Sequence, residues 1–202
     1  MSKRIKVLKP GEGYNLAAEY YDEKEKYINS FEQGELIPML GDISGKKILD
    51  VGAGTGRLAV YLQNRGAKVT ALDVSEKMLE IIKRKSKKVI TMVGDAENLP
   101  FEKNSFDIVV AAFLIVHLKD PKTFFDEVYR VLKDGGIFIV TNINQKDPPL
   151  VKTKSEPIII ESFYHRPEKI RAILEELAFD IENEVFIREG ETWVNQIIVA
   201  RK

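Results

Sequence analysis

Gly52, Gly54 and Gly56 alternate directly after the apolar run Ile48-Leu49-Asp50-Val51 and just before Arg57-Leu58, so a buried strand breaks into a glycine-rich turn that opens a helix. Glycine lacks the Cβ that would hold a ligand away, and helix amides beginning near Thr55 face whatever lies against the turn. The chemistry this implies is binding rather than reaction. Asp73, about twenty residues past the glycines, ends a second apolar run, Lys68-Val69-Thr70-Ala71-Leu72; a carboxylate there accepts hydrogen bonds from both hydroxyls of a ribose. Two more carboxylates, Asp50 and Asp95, and a histidine, His117, stand near the ends of other apolar runs. Histidine is the side chain whose ordinary pKa suits proton exchange near neutral pH.

Two cofactor classes use such a turn. A dinucleotide fold needs Gly-x-Gly-x-x-Gly, and its last position is Arg57 here. Gly52-x-Gly54-x-Gly56 instead resembles the first motif of class I, seven-strand, Rossmann-like S-adenosylmethionine-dependent methyltransferases. Three further segments resemble the same family: Val89-Ile90-Thr91-Met92-Val93-Gly94-Asp95-Ala96-Glu97-Asn98-Leu99-Pro100-Phe101, then Ser105-Phe106-Asp107-Ile108-Val109-Val110, then Val131-Leu132-Lys133-Asp134-Gly135-Gly136-Ile137-Phe138-Ile139-Val140. Asp134 stands where the family most often has proline. The lead-in Tyr14-Asn15-Leu16-Ala17-Ala18-Glu19-Tyr20-Tyr21-Asp22 is similar to that of small-molecule and quinone methyltransferases, although their longer carboxyl-terminal signature is not seen.

The resemblance implies S-adenosyl-L-methionine as methyl donor, with S-adenosyl-L-homocysteine as product, and a small-molecule acceptor carrying an O, N or C nucleophile. It implies backbone contacts to the donor from Gly52, Ala53 and Gly54, with Asp50 on the methionine amino group or bracing the turn. Asp73 would hold the ribose, or cap the helix that follows. Val74 and Met78 would border the adenine, Asp95 and Ala96 would take its amino group and a ring nitrogen, and Ala112 and Phe113 would offer backbone to the methionine end. Tyr14 and Tyr21 would fold over the donor. His117 is the candidate base, or a packed histidine. Tyr164 and His165 are candidates for the acceptor pocket, with a surface turn as the alternative for His165.

The elements that must position these residues alternate in the manner of a doubly wound α/β sheet. Strands are expected at Lys47 to Val51, Lys68 to Asp73, Val89 to Val93, Phe106 to Phe113 and Gly136 to Asn142. Helices are expected at Arg57 to Arg65, Ser75 to about Lys85, Pro121 to Leu132 and Arg166 to Ala178, after a helical region Asn15 to Met39. Asp180 to Arg188 and Thr192 to Arg201 read as a hairpin around Glu189-Gly190-Glu191. The family resemblance implies the seven-strand order 3-2-1-4-5-7-6 with the seventh strand antiparallel. One domain over 1–202 is expected, with a helical cap or lid at 1–40 and an acceptor-side insertion at 143–166. In that insertion Ile158-Ile159-Ile160 reads as an extra strand, a lid or a dimer contact.

Lysine plus arginine and aspartate plus glutamate each number 31, so no global field invites nucleic acid or an anionic membrane. The run Lys83-Arg84-Lys85-Ser86-Lys87-Lys88 closes a helix, where positive charge suits the dipole, and lacks interleaved aromatics. There is no cysteine and there are two histidines, so no disulfide framework, cysteine nucleophile or protein-built metal centre is expected. Met1 to Pro10 is short and basic, and no segment has the length of a membrane span. The expectation is a cytoplasmic monomer or homodimer. Two readings from other classes stand beside it: a non-catalytic S-adenosyl-binding regulator, and a nicotinamide oxidoreductase, which Arg57 and the missing Tyr-x-x-x-Lys pair disfavour.

Overall fold

Runs of valine, isoleucine and leucine that are apolar at nearly every position suit strands covered on both faces. The computed structural model describes residues 5–202, and the side chains of these apart from 24–27. Residues 1–4 of the expected cap lie outside the described residues. The first half of the chain holds β1 (Val7–Leu8), α1 (Pro10–Tyr21), α2 (Glu25–Ser30), β2 (Lys47–Val51), α3 (Arg57–Asn64), β3 (Lys68–Asp73), α4 (Glu76–Lys85) and β4 (Ile90–Val93). The second half holds β5 (Phe106–Ala111), α5 (Lys122–Val131), β6 (Leu132–Ile143), β7 (Leu150–Val151), β8 (Ile158–Ile160), α6 (Pro167–Glu176), β9 (Asp180–Glu189) and β10 (Thr192–Arg201).

The large sheet has seven strands in the order β4-β3-β2-β5-β6-β10-β9. Counted over this sheet alone, the order is the 3-2-1-4-5-7-6 implied by the sequence. β10 runs antiparallel to both β6 and β9, and the pairs among β4, β3, β2, β5 and β6 are parallel. Successive side chains alternate between two cores, as a period of two requires. Leu49, Val51, Val109, Phe138 and Val140 pack under α5 and α6, while Ile48, Ile108, Val110 and Ile139 pack under α3 and α4. Phe124, Phe125 and Phe138 are fully buried in the first core. Each such side chain contributes roughly 1.5–3 kcal/mol on burial.

Register sets the site. Val51 pairs with Leu72, Asp73 with Val93, and Asp50 with Val110, so the carboxyl ends of four strands finish almost level. Open α/β sheets receive ligands at that edge.

A second sheet of three strands, β1-β8-β7, stands apart. It resolves Ile158-Ile159-Ile160 as a strand. α1 lies against it at Gly13, where a Cβ would come 2.6 Å from Ile160 Cγ1.

The amino-terminal region differs from the expected Asn15 to Met39. α1 begins at Pro10, which suits a first helical turn because its missing N–H has no intrahelical partner there. The helical stretch ends at Ser30, and Gln33 and Gly34 in the turn that follows both have positive φ. Strand β5 stops two residues early at Ala111, since Phe113 takes φ 61°. β6 starts at Leu132, running through the Gly135-Gly136 corner. Among the described residues no helix is long and apolar enough to cross a membrane.

Candidate active site

The glycine turn divides its labour. Gly52 and Ala53 donate backbone N–H to Leu72 O at 2.8 and 3.1 Å, tying the turn to β3. Gly52, Gly54 and Gly56 have φ of 71°, 54° and 87°, a region that disfavours side chains. A Cβ on Gly56 would lie 2.8 Å from Ile82 Cγ1, so this glycine lets α3 pack on α4. A Cβ on Gly54 would meet only the Tyr21 ring, at 3.7 Å, so this glycine faces open space.

Asp73 is 7% exposed and braces both sides of that space: Oδ2 accepts from Gly54 N and Oδ1 from Ser75 N, each at 2.8 Å. Ser75, rather than Asp73, caps α4, its Oγ accepting from Met78 N. Burial raises the Asp73 pKa against the pull of these amides. Asp50 is 2% exposed and its Oδ2 has no hydrogen-bond partner. Burial pushes its carboxyl up to about 7, Arg57 opposing and Asp73 adding to the effect. A buried carboxylate oxygen without a partner is costly, and a cation placed beside it would relieve the cost.

A cavity of about 500 Å³ runs along the strand ends. Its walls include Gly52, Gly54, Asp73, Val74, Met78, Asp95, Ala96, Ala112, Phe113, Tyr14, Tyr21 and His117. A narrow extension reaches Asp50 and Ala53. Asp95 Oδ1 accepts from Glu97 N at 2.9 Å, the local turn that its sequence favours. Every residue named from sequence for the donor thus borders one space or its extension.

A second cavity of about 530 Å³ adjoins the first, and Tyr14, Tyr21, Phe113 and His117 belong to both. Its wall is otherwise apolar at Ile28, Phe31, Val116, Ile143, Val151 and Ile160, with Asn144, Gln145, Lys146 and Asp147 as its polar part.

His117 has both ring nitrogens engaged: Nδ1 lies 2.8 Å from Glu161 O and Nε2 2.6 Å from Tyr14 Oη. Burial lowers its pKa. Tyr164 and His165 line neither cavity. His165 is 4% exposed, so it is no surface residue either; its Nε2 meets Ile115 O and Leu118 O at 3.0 and 2.9 Å. It pins the 3-10 turn Ile115–His117, because a buried imidazole must satisfy its N–H and these two carbonyls stand within reach. Tyr164 is 38% exposed and its ring faces Trp193 on β10.

Sequence reasoning missed Glu32. It grips Arg57 with two hydrogen bonds of 2.6 and 2.8 Å, and the guanidinium stands 5.8 Å from the Phe113 ring centroid. The two residues are 25 apart, and no local spacing links them.

Residues 49–140 match the family described as a methyltransferase domain. This segment carries a methyltransferase domain. The matched segment holds the glycine turn, Asp50, Asp73, Asp95, Phe113 and His117, whereas Tyr14, Tyr21 and the small sheet lie outside it. The chain is 35% identical over 156 residues to the demethylmenaquinone methyltransferase of Lactococcus lactis, covering 71% of this chain and 62% of that one. With the enzyme of that name from Clavibacter sepedonicus it shares 38% identity over 113 residues, covering 54% of this chain and 46% of that one. The chain therefore spans less than two thirds of the length of these relatives. Its fold is that of an S-adenosylmethionine-dependent methyltransferase from Mesorhizobium loti, with a TM-score of 0.73 at 19% identity, covering 85% of this chain and 98% of that one.

Proposed function

We propose that this protein transfers a methyl group from S-adenosylmethionine to a nucleophilic atom of a small molecule. The observation that carries the proposal is the buried, unpartnered Oδ2 of Asp50 at the end of the strand-end cavity, where an amino-acid ammonium would complete its pairing. When bound, the donor supplies a methyl group made electrophilic by a positively charged sulfonium. The chain's own residues orient and exclude water. Gly52, Ala53 and Gly54 contact it through backbone, Asp73 takes the ribose hydroxyls, Val74 and Met78 flank the adenine, and Asp95 with Ala96 read its edge. Ala112 and Phe113 offer backbone at the methionine end. Tyr14 and Tyr21 cover it, and their ring faces suit a cationic sulfur.

The second cavity is the acceptor's. Its walls of Tyr14, Tyr21, Phe31, Phe113 and aliphatic side chains favour a flat, largely apolar ring compound, and two relatives are named for a demethylated quinone. A reduced naphthoquinone is accordingly the first acceptor to offer. In this reading the protein works in the cytoplasm, as a monomer or homodimer, without a nucleic-acid partner; the balance of 31 basic and 31 acidic residues supports that last point.

Calorimetric titration with S-adenosylmethionine, S-adenosylhomocysteine and NADH tests the reading. Micromolar binding of the first two and none of the third is expected; binding of NADH alone would sink it. Asp73→Ala should weaken both S-adenosyl ligands by about 1–3 kcal/mol, the cost of losing a charged acceptor. Unchanged affinity would return Asp73 to bracing the turn.

A further inference from the structure

The 2.6 Å contact between Tyr14 and His117 has a direction that chemistry fixes. Glu161 O is a carbonyl and only accepts, so the His117 Nδ1 beside it at 2.8 Å carries the proton. In the neutral imidazole Nε2 is then the lone pair, and Tyr14 Oη–H donates to it. Burial favours that neutral form by lowering the His117 pKa and holds Tyr14 protonated by raising its pKa. Nε2 is thus already occupied, which leaves His117 no free atom with which to take a proton from an acceptor directly.

Tyr14 Oη keeps a second lone pair, and Tyr14 belongs to the walls of both cavities. The 161–165 segment holds the arrangement rigid: Phe163 donates N–H to Val116 O at 2.7 Å, and His165 Nε2 bridges Ile115 O and Leu118 O. From α1, the Tyr14 ring packs edge-on against His117 with centroids 5.2 Å apart.

Resting on the methyl-transfer reading above, we propose that Tyr14 is a catalytic residue whose Oη takes the proton of an aromatic hydroxyl acceptor while passing its own proton to His117 Nε2. The step balances. The acceptor's O–H bond breaks and its proton joins Tyr14 Oη; the Tyr14 proton moves to Nε2, giving an imidazolium. The acceptor forms one new bond to the methyl carbon, and the electron pair of the broken sulfur–carbon bond stays on sulfur as a neutral thioether. The positive charge that leaves sulfur reappears on His117, whose Nδ1–H points at the Glu161 carbonyl dipole. His117 is the positioning residue and proton store, and His165 fixes the turn that carries it.

The chain has only two histidines, so the ring nitrogens of both can be read by ¹⁵N NMR in the whole protein. The relay requires His117 as the Nδ1–H tautomer; the Nε2–H tautomer would overturn it whether or not an acceptor is turned over. With S-adenosylmethionine as donor and 1,4-naphthohydroquinone or catechol as probe, Tyr14→Phe should hold donor affinity within about 3-fold while kcat falls roughly 100-fold or more, within the range of general base catalysis. His117→Gln should lower kcat similarly, and the double variant should be no slower than either single one, because the pair acts as a unit. Undiminished kcat in Tyr14→Phe, additive losses, or transfer to neither probe by the unaltered protein would each overturn the relay. Failure of the unaltered protein to bind the donor at all would overturn the parent reading instead.

Discussion

The two cavities that meet at Tyr14 and Phe113 are built from different materials. The side proposed for the donor is backbone: strand ends level with one another, a glycine turn hydrogen-bonded to β3, and a carboxylate held by two amides. The side proposed for the acceptor is side chain: Asp22 and Glu32, on either side of α2, pair with Lys85 on α4 and Arg57 on α3, while Lys152–Glu23 and the fit of Gly13 against Ile160 join the amino-terminal segment to the small sheet. A backbone-built site tolerates little change in the sequence that forms it. A side-chain-built site can change its lining while the fold persists, which suits the acceptor-choosing role proposed for this half.

That contrast can be broken. The largest effect should come from Gly56→Ala, which adds a Cβ 2.8 Å from Ile82 Cγ1 at a φ of 87°. A loss of about 2–4 kcal/mol of folding stability is expected from overpacking and backbone strain together. Chemical denaturation measures it, and a loss below about 1 kcal/mol would mean that the turn is softer than its geometry implies.

Asp50→Asn comes next and sharpens the comparison through pH. The folded carboxyl is raised from 3.8 to about 7, so between those values the folded protein binds more protons than the unfolded chain. Ligand-free stability from this group therefore falls as pH rises through that window. At pH 8 Asp50→Asn should raise the stability of the ligand-free protein by roughly 1–3 kcal/mol, the usual scale for an unmet buried polar group, while weakening donor binding. Thermal melts at pH 5 and pH 8, with and without donor, separate the two effects. A variant that melts lower at pH 8 would show that Asp50 already has its partner.

The smallest effects should be on the acceptor side, and they should be graded by burial. Glu32 and Arg57 are 5% and 20% exposed, and Glu32→Gln, which keeps an acceptor oxygen, should cost about 1–2 kcal/mol and lower turnover more than donor affinity. Lys152 and Glu23 are 57% and 58% exposed, and Lys152→Ala should cost less than about 0.5 kcal/mol. Equal costs for the two would remove the grading.

The same division explains what was legible in the sequence. Asp73, the glycines and Asp95 announce themselves because strand, turn and helix signals are local, and a level register brings local signals to one edge. Strand order followed from resemblance, and the boundaries of β2 and β3 coincide with the apolar runs. The acceptor side was harder to read. α1 was placed five residues late because Pro10, Gly11 and Gly13 have poor helix propensity, although proline suits a first turn and Gly13 is required by Ile160. Glu32 with Arg57, and Tyr14 with His117, join residues 25 and 103 apart, and pairs so distant leave no periodic trace. His165 reads from sequence as pocket lining or a surface turn, since a lone histidine in a loop looks the same whether it faces a cavity, solvent or two carbonyls.

The position of β10 has a consequence for how the molecule is made. β9 touches the large sheet only through β10, which is synthesised after it and must run back between β9 and β6. On the ribosome, then, β2 to β6 emerge as a parallel sheet whose β6 edge, Ile137-Phe138-Ile139-Val140, has no partner on one side until the hairpin arrives. A bare apolar edge is the usual template for pairing between chains. Translation speed over residues 180–201 should therefore matter more to the yield of folded protein than speed over any equal stretch near the glycine turn.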